Sequence, residues 1–477
     1  MIIGKPLPFI SAFIDVVDET IRAQSPGHGM SAMQRTWLAF CLTAILVTNS
    51  ICWARFARAS LGTYSLAALS WMFRHSKIPW DDLLLTSLRV ILRHYGLSEG
   101  SLVLDDTDNK RSKSATTLAH LSKLRDKESG GYVWGQSLIF LVLVTPEITV
   151  PVGFVFYQPA PELSAWSKTE KALKQQGVPK KQRPPKPPVN PNYPTKQTLA
   201  LRLLHQFDTE HPGFNVSCVS ADALYGAGFF VDEASACFGG VQVISQIRSN
   251  QKVRLHKRDQ SVTDYFAAHP GTPQTLRIRG GEEVVALISS ARLYVCAHKT
   301  KRFVIALKYE GEDTYRSLIA SDLTWRTLDI VQGHTLRWLV EVCIQDWKSH
   351  EGWSQLTKQP GVEGARRSVI LSLLVDHALF FHPDQHAQLT NNLPAYTVGS
   401  LRANLQVESL IKVIETLIFS DDPQSQWQHF TQSLQNVFVF NSSKKHMIQR
   451  QLGRLAPTPS LKYRAHEVMR NMPVLST

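Results

Sequence analysis

Apolar-rich segments separated by turn residues characterise the beginning of the chain. They fall near residues 32–50, 52–60, 64–75 and 79–95. Gly62 and Gly96 stand where helices are expected to end, and Pro79 stands where one is expected to begin. The pattern therefore predicts a helical region over residues 1–96.

Basic residues decorate these short predicted helices. Arg55, Arg58 and Arg74 would lie on helices joined by short turns, which is compatible with a helix-turn-helix DNA-binding bundle. An ordinary helical domain with a basic surface fits the same pattern about as well. The segment 37–53 is apolar, but it contains polar residues and is shorter than the about 20 residues of a membrane span. It is predicted to be a buried helix.

The pattern changes to short β-branched runs after residue 100. A first strand is predicted over residues 102–106, and two more over 137–144 and 149–157. The last two are separated by Thr-Pro-Glu, which is a turn signal, so they are expected to form a hairpin. Three strands in succession predict an antiparallel meander.

Residues 160–197 are rich in proline and basic side chains, with seven prolines between positions 179 and 194. Such a composition favours extended polyproline conformation and is predicted to be a linker-like insertion without a core. It is either a spacer or a basic arm along a phosphate backbone, and we favour a surface excursion with some DNA contact.

The remaining pattern alternates between helix and strand signals. Helices are predicted near 196–210 and 229–236, strands over 215–220 and 241–247, short β-rich runs over 275–278, 283–288, 292–297 and 303–308, and helices over 334–348, 362–381, 398–419 and 424–440, before a basic tail from Ser442. The predicted domains are a helical, DNA-binding region (1–96), the first part of an α/β core (97–249), a β-rich insert (250–330), the end of the core (331–382) and a C-terminal helical region (383–477).

Composition narrows the classes of function. The chain has 477 residues, 43% of them hydrophobic, and its 52 Lys and Arg against 39 Asp and Glu give a net charge of +13. That excess favours an anionic partner, with nucleic acid first and a membrane surface second. Six scattered cysteines without a C-x-x-C pair predict reduced thiols in the cytoplasm, and the first nine residues do not resemble a signal peptide.

Four acidic residues are expected to meet at one end of the predicted sheet. Asp105 and Asp106 follow the first strand, Asp222 follows a later one, and Glu341 lies on the helix 334–348. Taken alone, the first pair is better explained as a solvated acidic turn. Convergence of two or three carboxylates would instead hold two divalent cations about 4 Å apart, the arrangement for in-line phosphoryl transfer. All-carboxylate ligation suits Mg²⁺.

The same helix predicts a charged stripe. At about 100° per residue, Arg337, Glu341 and Lys348 fall within roughly 40° of one another, with His334 on nearly the same face. A pair such as Arg337 and Glu341 is common on helices. A longer stripe calls for an anionic surface opposite it, and a DNA strand across the metal site would provide one.

At these residues the chain resembles bacterial DDE transposases of the insertion-sequence-four superfamily. Their Tyr-Arg-Glu-Lys signature has the spacing of His334, Arg337, Glu341 and Lys348, with His in place of Tyr. The family's first acid precedes Thr, as Asp106 precedes Thr107. Its second acid lies in an Asp-x-x-Tyr-Gly context, as Asp222 does with Tyr225 and Gly226.

The resemblance implies a ribonuclease-H-like mixed sheet with a β-rich insert, flanked by helical regions. It implies an enzyme that binds transposon-end inverted repeats, cleaves DNA to expose 3′-hydroxyls and joins them to target DNA. The implied catalytic residues and metal ligands are Asp106, Asp222 and Glu341. The cofactor would be two Mg²⁺ ions, with Mn²⁺ able to substitute.

The sequence also predicts DNA-contacting residues, binding partners and alternative functions. The predicted DNA contacts are His334, Arg337, Lys348, Arg248 and Lys110. The expected partners are double-stranded transposon ends and target DNA, bound by a homodimer at the bacterial nucleoid, without membrane contact. A non-enzymatic DNA-binding descendant of a transposase and a ribonuclease-H-like nuclease or resolvase are the alternatives. The sequence has no motif of an ATP-dependent enzyme, a zinc protease or an esterase.

Overall fold

The computed structural model describes residues 5–111, 118–126, 130–278, 282–353 and 359–438. The predicted basic tail from Ser442 lies outside these residues. The chain divides into two compact units, one ending at Asp421 and one beginning at Asp422. In the second unit the described residues form helix α15 (Pro423–Val437).

The described strands of the first unit form a single sheet of twelve strands. They are β1 (Glu99–Lys110), β2 (Ser122–Arg125), β3 (Tyr132–Val144), β4 (Thr149–Tyr157), β5 (Asn215–Ala221), β6 (Gln242–Gln246), β7 (Lys252–Leu255), β8 (Arg258–Ser261), β9 (Thr272–Arg277), β10 (Glu283–Val295), β11 (Thr300–Tyr309) and β12 (Arg316–Ala320).

Helices flank this sheet. They are α1 (Pro8–Gln24), α2 (Ala32–Thr48), α3 (Trp53–Ala59), α4 (Leu66–His75), α5 (Trp80–His94), α6 (Pro161–Gln175), α7 (Lys196–Glu210), α8 (Gly228–Cys237), α9 (Val262–Ala268), α10 (Thr327–Thr335), α11 (Trp338–His350), α12 (Gly361–Leu379), α13 (Pro383–Thr390) and α14 (Val398–Ile418).

The centre of the sheet has the strand order β4-β3-β1-β5-β6. The first three strands form an antiparallel meander, and β5 and β6 are parallel to β1. Helix α7 connects β4 to β5, and α8 connects β5 to β6. This order and these directions are those of a ribonuclease-H-like fold, so the predicted fold class is confirmed.

Alternation along the central strands separates two cores. Val103 and Phe140 pack under α1, α2, α11, α12 and α14, whereas Leu102 and Leu104 pack under α7 and α8 on the other face. Helix α2 is buried along eleven consecutive residues, from Trp37 to Val47. The first 96 residues therefore share their core with the C-terminal helices and do not form one of their own.

The proline-rich segment is more ordered than its composition predicts. Residues 161–175 form helix α6, so the prediction of a linker throughout 160–197 is wrong. The chain then folds back onto this helix: Trp166 Nε1 donates to Pro184 O at 2.9 Å, and Arg183 pairs with Glu170 at 2.8 Å. Proline at the first helical position explains the start of α6.

The predicted helix 334–348 is two helices. Between α10 and α11 the chain tightens, because Arg337 N donates to His334 O and Leu339 N donates to Leu336 O, each at 3.0 Å and three residues back. The uniform 100° spacing therefore does not hold between His334 and Arg337.

The β-rich insert is not separate from the core sheet. Strand β12 pairs with β6, with Leu318 opposite Gln246 and Ala320 opposite Ile244. The predicted runs 283–288 and 292–297 are one long strand, β10. The insert therefore extends the central sheet beyond β6.

No single helix among the described residues has the length and apolar composition needed to cross a membrane. Only α2 and α3 taken together reach them, and these two helices are bent by 91° at the break between them.

Candidate metal centre

The acidic pair lies in the middle of β1, not at its end as predicted. Strand β1 continues to Lys110 along β3, whereas its parallel partner β5 ends at Ala221, opposite Leu104. The chain leaving β5 therefore places Asp222 beside Asp105 and Asp106. The three acids come together because β5 ends before β1 does.

Three carboxylates meet at this junction. One ligand oxygen from each of Asp105, Asp106 and Asp222 lies within 4.8 Å of the others, and all three residues are partly buried. Within the described parts of the chain, no other group of three or more His, Cys, Asp or Glu side chains has ligand atoms this close. The donors are all carboxylate oxygens, which is the chemistry that Mg²⁺ prefers.

The two acids of β1 are held from opposite faces of the sheet. Asp105 contacts Arg337 from the α11 side, with Nη1 to Oδ2 at 3.4 Å. Asp106 contacts Lys196, at the start of α7, with Nζ to Oδ2 at 2.5 Å. The same ammonium lies 5.3 Å from the centre of the Tyr157 ring. Each acid therefore has its own cation.

Burial and the charges of neighbouring acids favour the protonated forms of Asp105 and Asp222. Burial raises the pKa of Asp105 to about 6, and the charges of Asp222 and Asp106 add to this, while the Asp106 N–H and Arg337 oppose it. Burial also raises the pKa of Asp222, and the charge of Asp106 adds to that effect. The Leu224 N–H, which donates to Asp222 at 2.8 Å, opposes it. A divalent cation among these oxygens would reverse the repulsion.

The third predicted acid lies outside this cluster. Glu341 is in the first turn of α11, where Oε1 accepts from Arg337 Nη2 at 2.5 Å. Arg337 therefore links Glu341 to Asp105. Of the predicted triad, the structure brings Asp106 and Asp222 together, adds Asp105, and connects Glu341 through an arginine.

The predicted DNA contacts occupy different environments. His334 is 6% exposed, its Nε2 lies 3.3 Å from Gln246 Nε2, and burial lowers its pKa to about 3. A neutral, buried ring does not agree with the predicted DNA contact. Arg248 is exposed just after β6, and Lys348 is partly buried on α11. Lys110 pairs with Asp126 at 2.7 Å.

Comparisons with known proteins give little beyond this geometry. No protein-family model matches the sequence, and no curated protein matches it. The chain is similar to the crystal structure of the NurA nuclease from Sulfolobus solfataricus, with 8% identity over 50% of this chain and 72% of that one. The TM-score is 0.20, so the fold assignment rests on strand order and direction alone.

Sequence reasoning missed two side chains at the cluster. The contact of Lys196 with Asp106 could not be predicted, because a single lysine at the start of a helix does not indicate what it contacts. The Asp-x-x-Tyr-Gly motif contains Tyr225 but indicates no role for its hydroxyl. Its side chain is fully buried, and among the described residues its hydroxyl has no hydrogen-bond partner. Burial raises its pKa, and the charges of Asp106, Asp222 and Asp105 add to the shift.

Tyr225→Phe is expected to raise the free energy of unfolding of the metal-free protein by about 1 kcal/mol. A buried hydroxyl without a partner loses its hydration on folding and gains nothing in return. The matched control is Tyr95→Phe, which removes a hydroxyl that donates to Phe380 O at 2.5 Å. The control should lose about 1 kcal/mol. Urea unfolding of both variants measures the difference, and a loss of stability in Tyr225→Phe would show that its hydroxyl has a partner.

Proposed function

We propose that this protein is a metal-dependent DNA strand-transfer enzyme, a transposase of the DDE type. The observation that carries the proposal is the meeting of Asp105, Asp106 and Asp222 at the β1–β5 junction of a ribonuclease-H-like sheet. Three carboxylates within ligand distance of one another suit a divalent cation.

The residues around the junction have two proposed roles, binding the metal ion and binding phosphate. Asp105, Asp106 and Asp222 would hold the cation, which when bound supplies activation of a water or 3′-hydroxyl and neutralises charge on the phosphate. Arg337 and Lys196 flank the acids from the two faces of the sheet. We propose that both bind phosphate oxygens of a strand lying over the junction, Arg337 through two donors and Lys196 as a point charge.

Substrate and reaction follow from charge and from the spacing of motifs. A net charge of +13 favours a polyanion such as DNA. The Arg337, Glu341 and Lys348 spacing and the Asp222, Tyr225 and Gly226 motif support a transposase over other members of the fold. Glu341 would join the metal ligands once Arg337 turns to the phosphate. In the DNA complex we propose a homodimer that holds two transposon ends.

A ribonuclease-H-like nuclease is the second candidate. The observation that favours it is the position of Glu341, which is outside the acid cluster and paired with Arg337. A site completed by Asp105, Asp106 and Asp222 alone would cleave strands without the third acid of the transposase signature.

The test uses the full-length protein and a labelled duplex carrying the DNA that flanks its coding sequence, with supercoiled plasmid as target. In Mg²⁺ or Mn²⁺ we expect cleavage at one position, a 3′-hydroxyl product and joined molecules, and in EDTA none of these. Cleavage at scattered positions without joining would favour the nuclease. Binding without cleavage in either metal would contradict both and leave a non-enzymatic DNA-binding protein.

A further inference from the structure

Two exposed aromatic and two basic side chains lie together on the β2–β3 ladder. The register places Lys123 opposite Trp134 and Arg125 opposite Tyr132. Directly opposite residues in an antiparallel pair share a face of the sheet. Lys123, Arg125, Tyr132 and Trp134 therefore form one surface, which we name the β2–β3 patch.

The members of the patch face solvent. Tyr132 is 68% exposed and Trp134 is 41% exposed, although both are large rings. Lys123 and Arg125 are exposed as well, whereas Leu124 between them is partly buried on the opposite face. The Lys123 ammonium lies 5.7 Å from the centre of the Trp134 ring. Two neighbouring exposed aromatic rings on a strand contribute little to the core, and they suggest a binding surface.

The patch lies on the same sheet face as Asp105. Asp105 is directly opposite Phe140 in the β1–β3 pairing, and that pairing runs without a shift to Gly135. Trp134 and Tyr132 are an even number of residues from Phe140, so they share its face. Six residues at about 3.3 Å each place Trp134 roughly 20 Å along the strand from the acid cluster. The patch and the candidate metal centre are thus on one face of the sheet, with the buried residues Gln136 and Leu138 between them along β3.

The spacing of the rings suits an unpaired strand. Side chains two residues apart on a strand are about 7 Å apart, which is twice the 3.4 Å separation of stacked bases. One base fits between the Tyr132 and Trp134 rings, with a stacking contact on each side. In a duplex the base faces are covered by their neighbours, so this contact requires an unstacked base. Lys123 and Arg125, which lie opposite the two rings, can pair with the phosphates on either side of this base.

We propose that the β2–β3 patch binds an unpaired DNA strand, stacking a base on Trp134 and Tyr132 and pairing its phosphates with Lys123 and Arg125. The proposal rests on the proposed function, since it names the form in which the enzyme would hold DNA roughly 20 Å from the acids. A strand freed from its complement next to the cleavage position would be kept away from the duplex by this surface.

The test measures binding without metal, so it does not depend on catalysis. Full-length Asp222→Asn protein is titrated in EDTA against a fluorescein-labelled single strand of mixed sequence and against the matching duplex. Adding Trp134→Ala is expected to weaken single-strand binding by about 5- to 150-fold, the range for removing one stacked base. Duplex binding should stay the same. Trp134→Phe, which keeps a ring, should restore most of the affinity.

Two controls separate the patch from general effects. Trp427→Ala removes another exposed tryptophan, 59% exposed on α15, and should leave single-strand affinity unchanged. The double variant Lys123→Gln/Arg125→Gln should flatten the dependence of log affinity on log salt by about 1.4 units, since single strands give about 0.7 per phosphate. A folded Trp134→Ala variant with wild-type single-strand affinity would overturn the proposal.

The outcomes also separate this proposal from the proposed function. Single-strand binding that depends on Trp134, in a wild-type protein that cleaves no DNA, would support the patch and contradict the enzyme. If the wild-type protein cleaves DNA but Trp134→Ala leaves single-strand affinity unchanged, the result would support the enzyme and contradict the patch. If Trp134→Ala instead abolished self-association in sedimentation and left DNA affinity unchanged, the patch would be a contact between copies and the proposal would fail.

Discussion

Asp222→Asn is expected to lower the rate of Mg²⁺-dependent strand cleavage by about 1,000-fold, equivalent to about 4 kcal/mol of transition-state stabilisation. The amide keeps the size of the side chain and its oxygen can still accept from the Leu224 N–H. The change therefore removes the charge and little else. Single-turnover cleavage of a labelled duplex measures the rate, and DNA affinity in EDTA should not fall, because no positive charge is lost.

The cleavage rates of Asp105→Asn and Asp106→Asn show which acid of β1 contributes more to catalysis. Asp105 faces α11, where Arg337 and Glu341 lie, whereas the carboxylate of Asp106 is paired with Lys196 on the other face. We therefore expect Asp105→Asn to be as severe as Asp222→Asn and Asp106→Asn to be milder. This differs from the assignment by motif, which takes the acid before Thr107. The opposite ranking would make Asp106 the more important metal ligand of the two, and cleavage at the wild-type rate by Asp222→Asn would contradict the site itself.

Trp347→Ala is expected to lower the free energy of unfolding by about 3–5 kcal/mol. The Trp347 ring is fully buried, lies 4.6 Å from the Phe140 ring and 4.2 Å from the Trp353 ring, and donates through Nε1 to Ser372 at 2.8 Å. Alanine would leave a large cavity between α11 and the sheet. The Ser372 hydroxyl would still donate to Glu351 O, but its oxygen would lose the donor that Trp347 supplies. Urea unfolding followed by circular dichroism measures the loss.

The control for Trp347→Ala is Trp338→Ala, at the start of the same helix, α11. Trp338 is 62% exposed, so Trp338→Ala should change stability by less than about 0.5 kcal/mol. Equal losses in the two variants would show that Trp347 does not fix α11 to the sheet. Because α11 carries Glu341, we expect Trp347→Ala to lose cleavage activity at temperatures where Trp338→Ala remains active.

The sequence predicts the central strands well because their signal is local. Strand β3 is a continuous apolar run from Leu138 to Val144, and β5 mixes apolar with small polar residues between turn residues. The meander, the two crossover helices and the position of Asp222 all follow from such runs. Helix α6 was missed because the prolines after it dominate the composition, although its own residues are good helix formers.

The details of the site depend on contacts that a one-dimensional pattern does not contain. Helical periodicity places His334 beside Arg337, but two tightened turns rotate it into the core next to Gln246. Adjacent acids look equivalent in sequence, yet strand alternation sends Asp105 and Asp106 to different cations. The β2–β3 patch depends on the pairing register, which a hydrophobic pattern does not give for such a short strand.

The shared core of the N- and C-terminal helices has a consequence for synthesis on the ribosome. Helix α2 is buried on all sides from Trp37 to Val47, and two of its neighbours, α12 and α14, come more than 300 residues later. At roughly 5–20 residues per second, that separation leaves part of α2 uncovered for about 15–60 s. During that time the nascent chain exposes a surface that aggregates readily, so its yield should depend on chaperone supply more than on the stability of the finished protein.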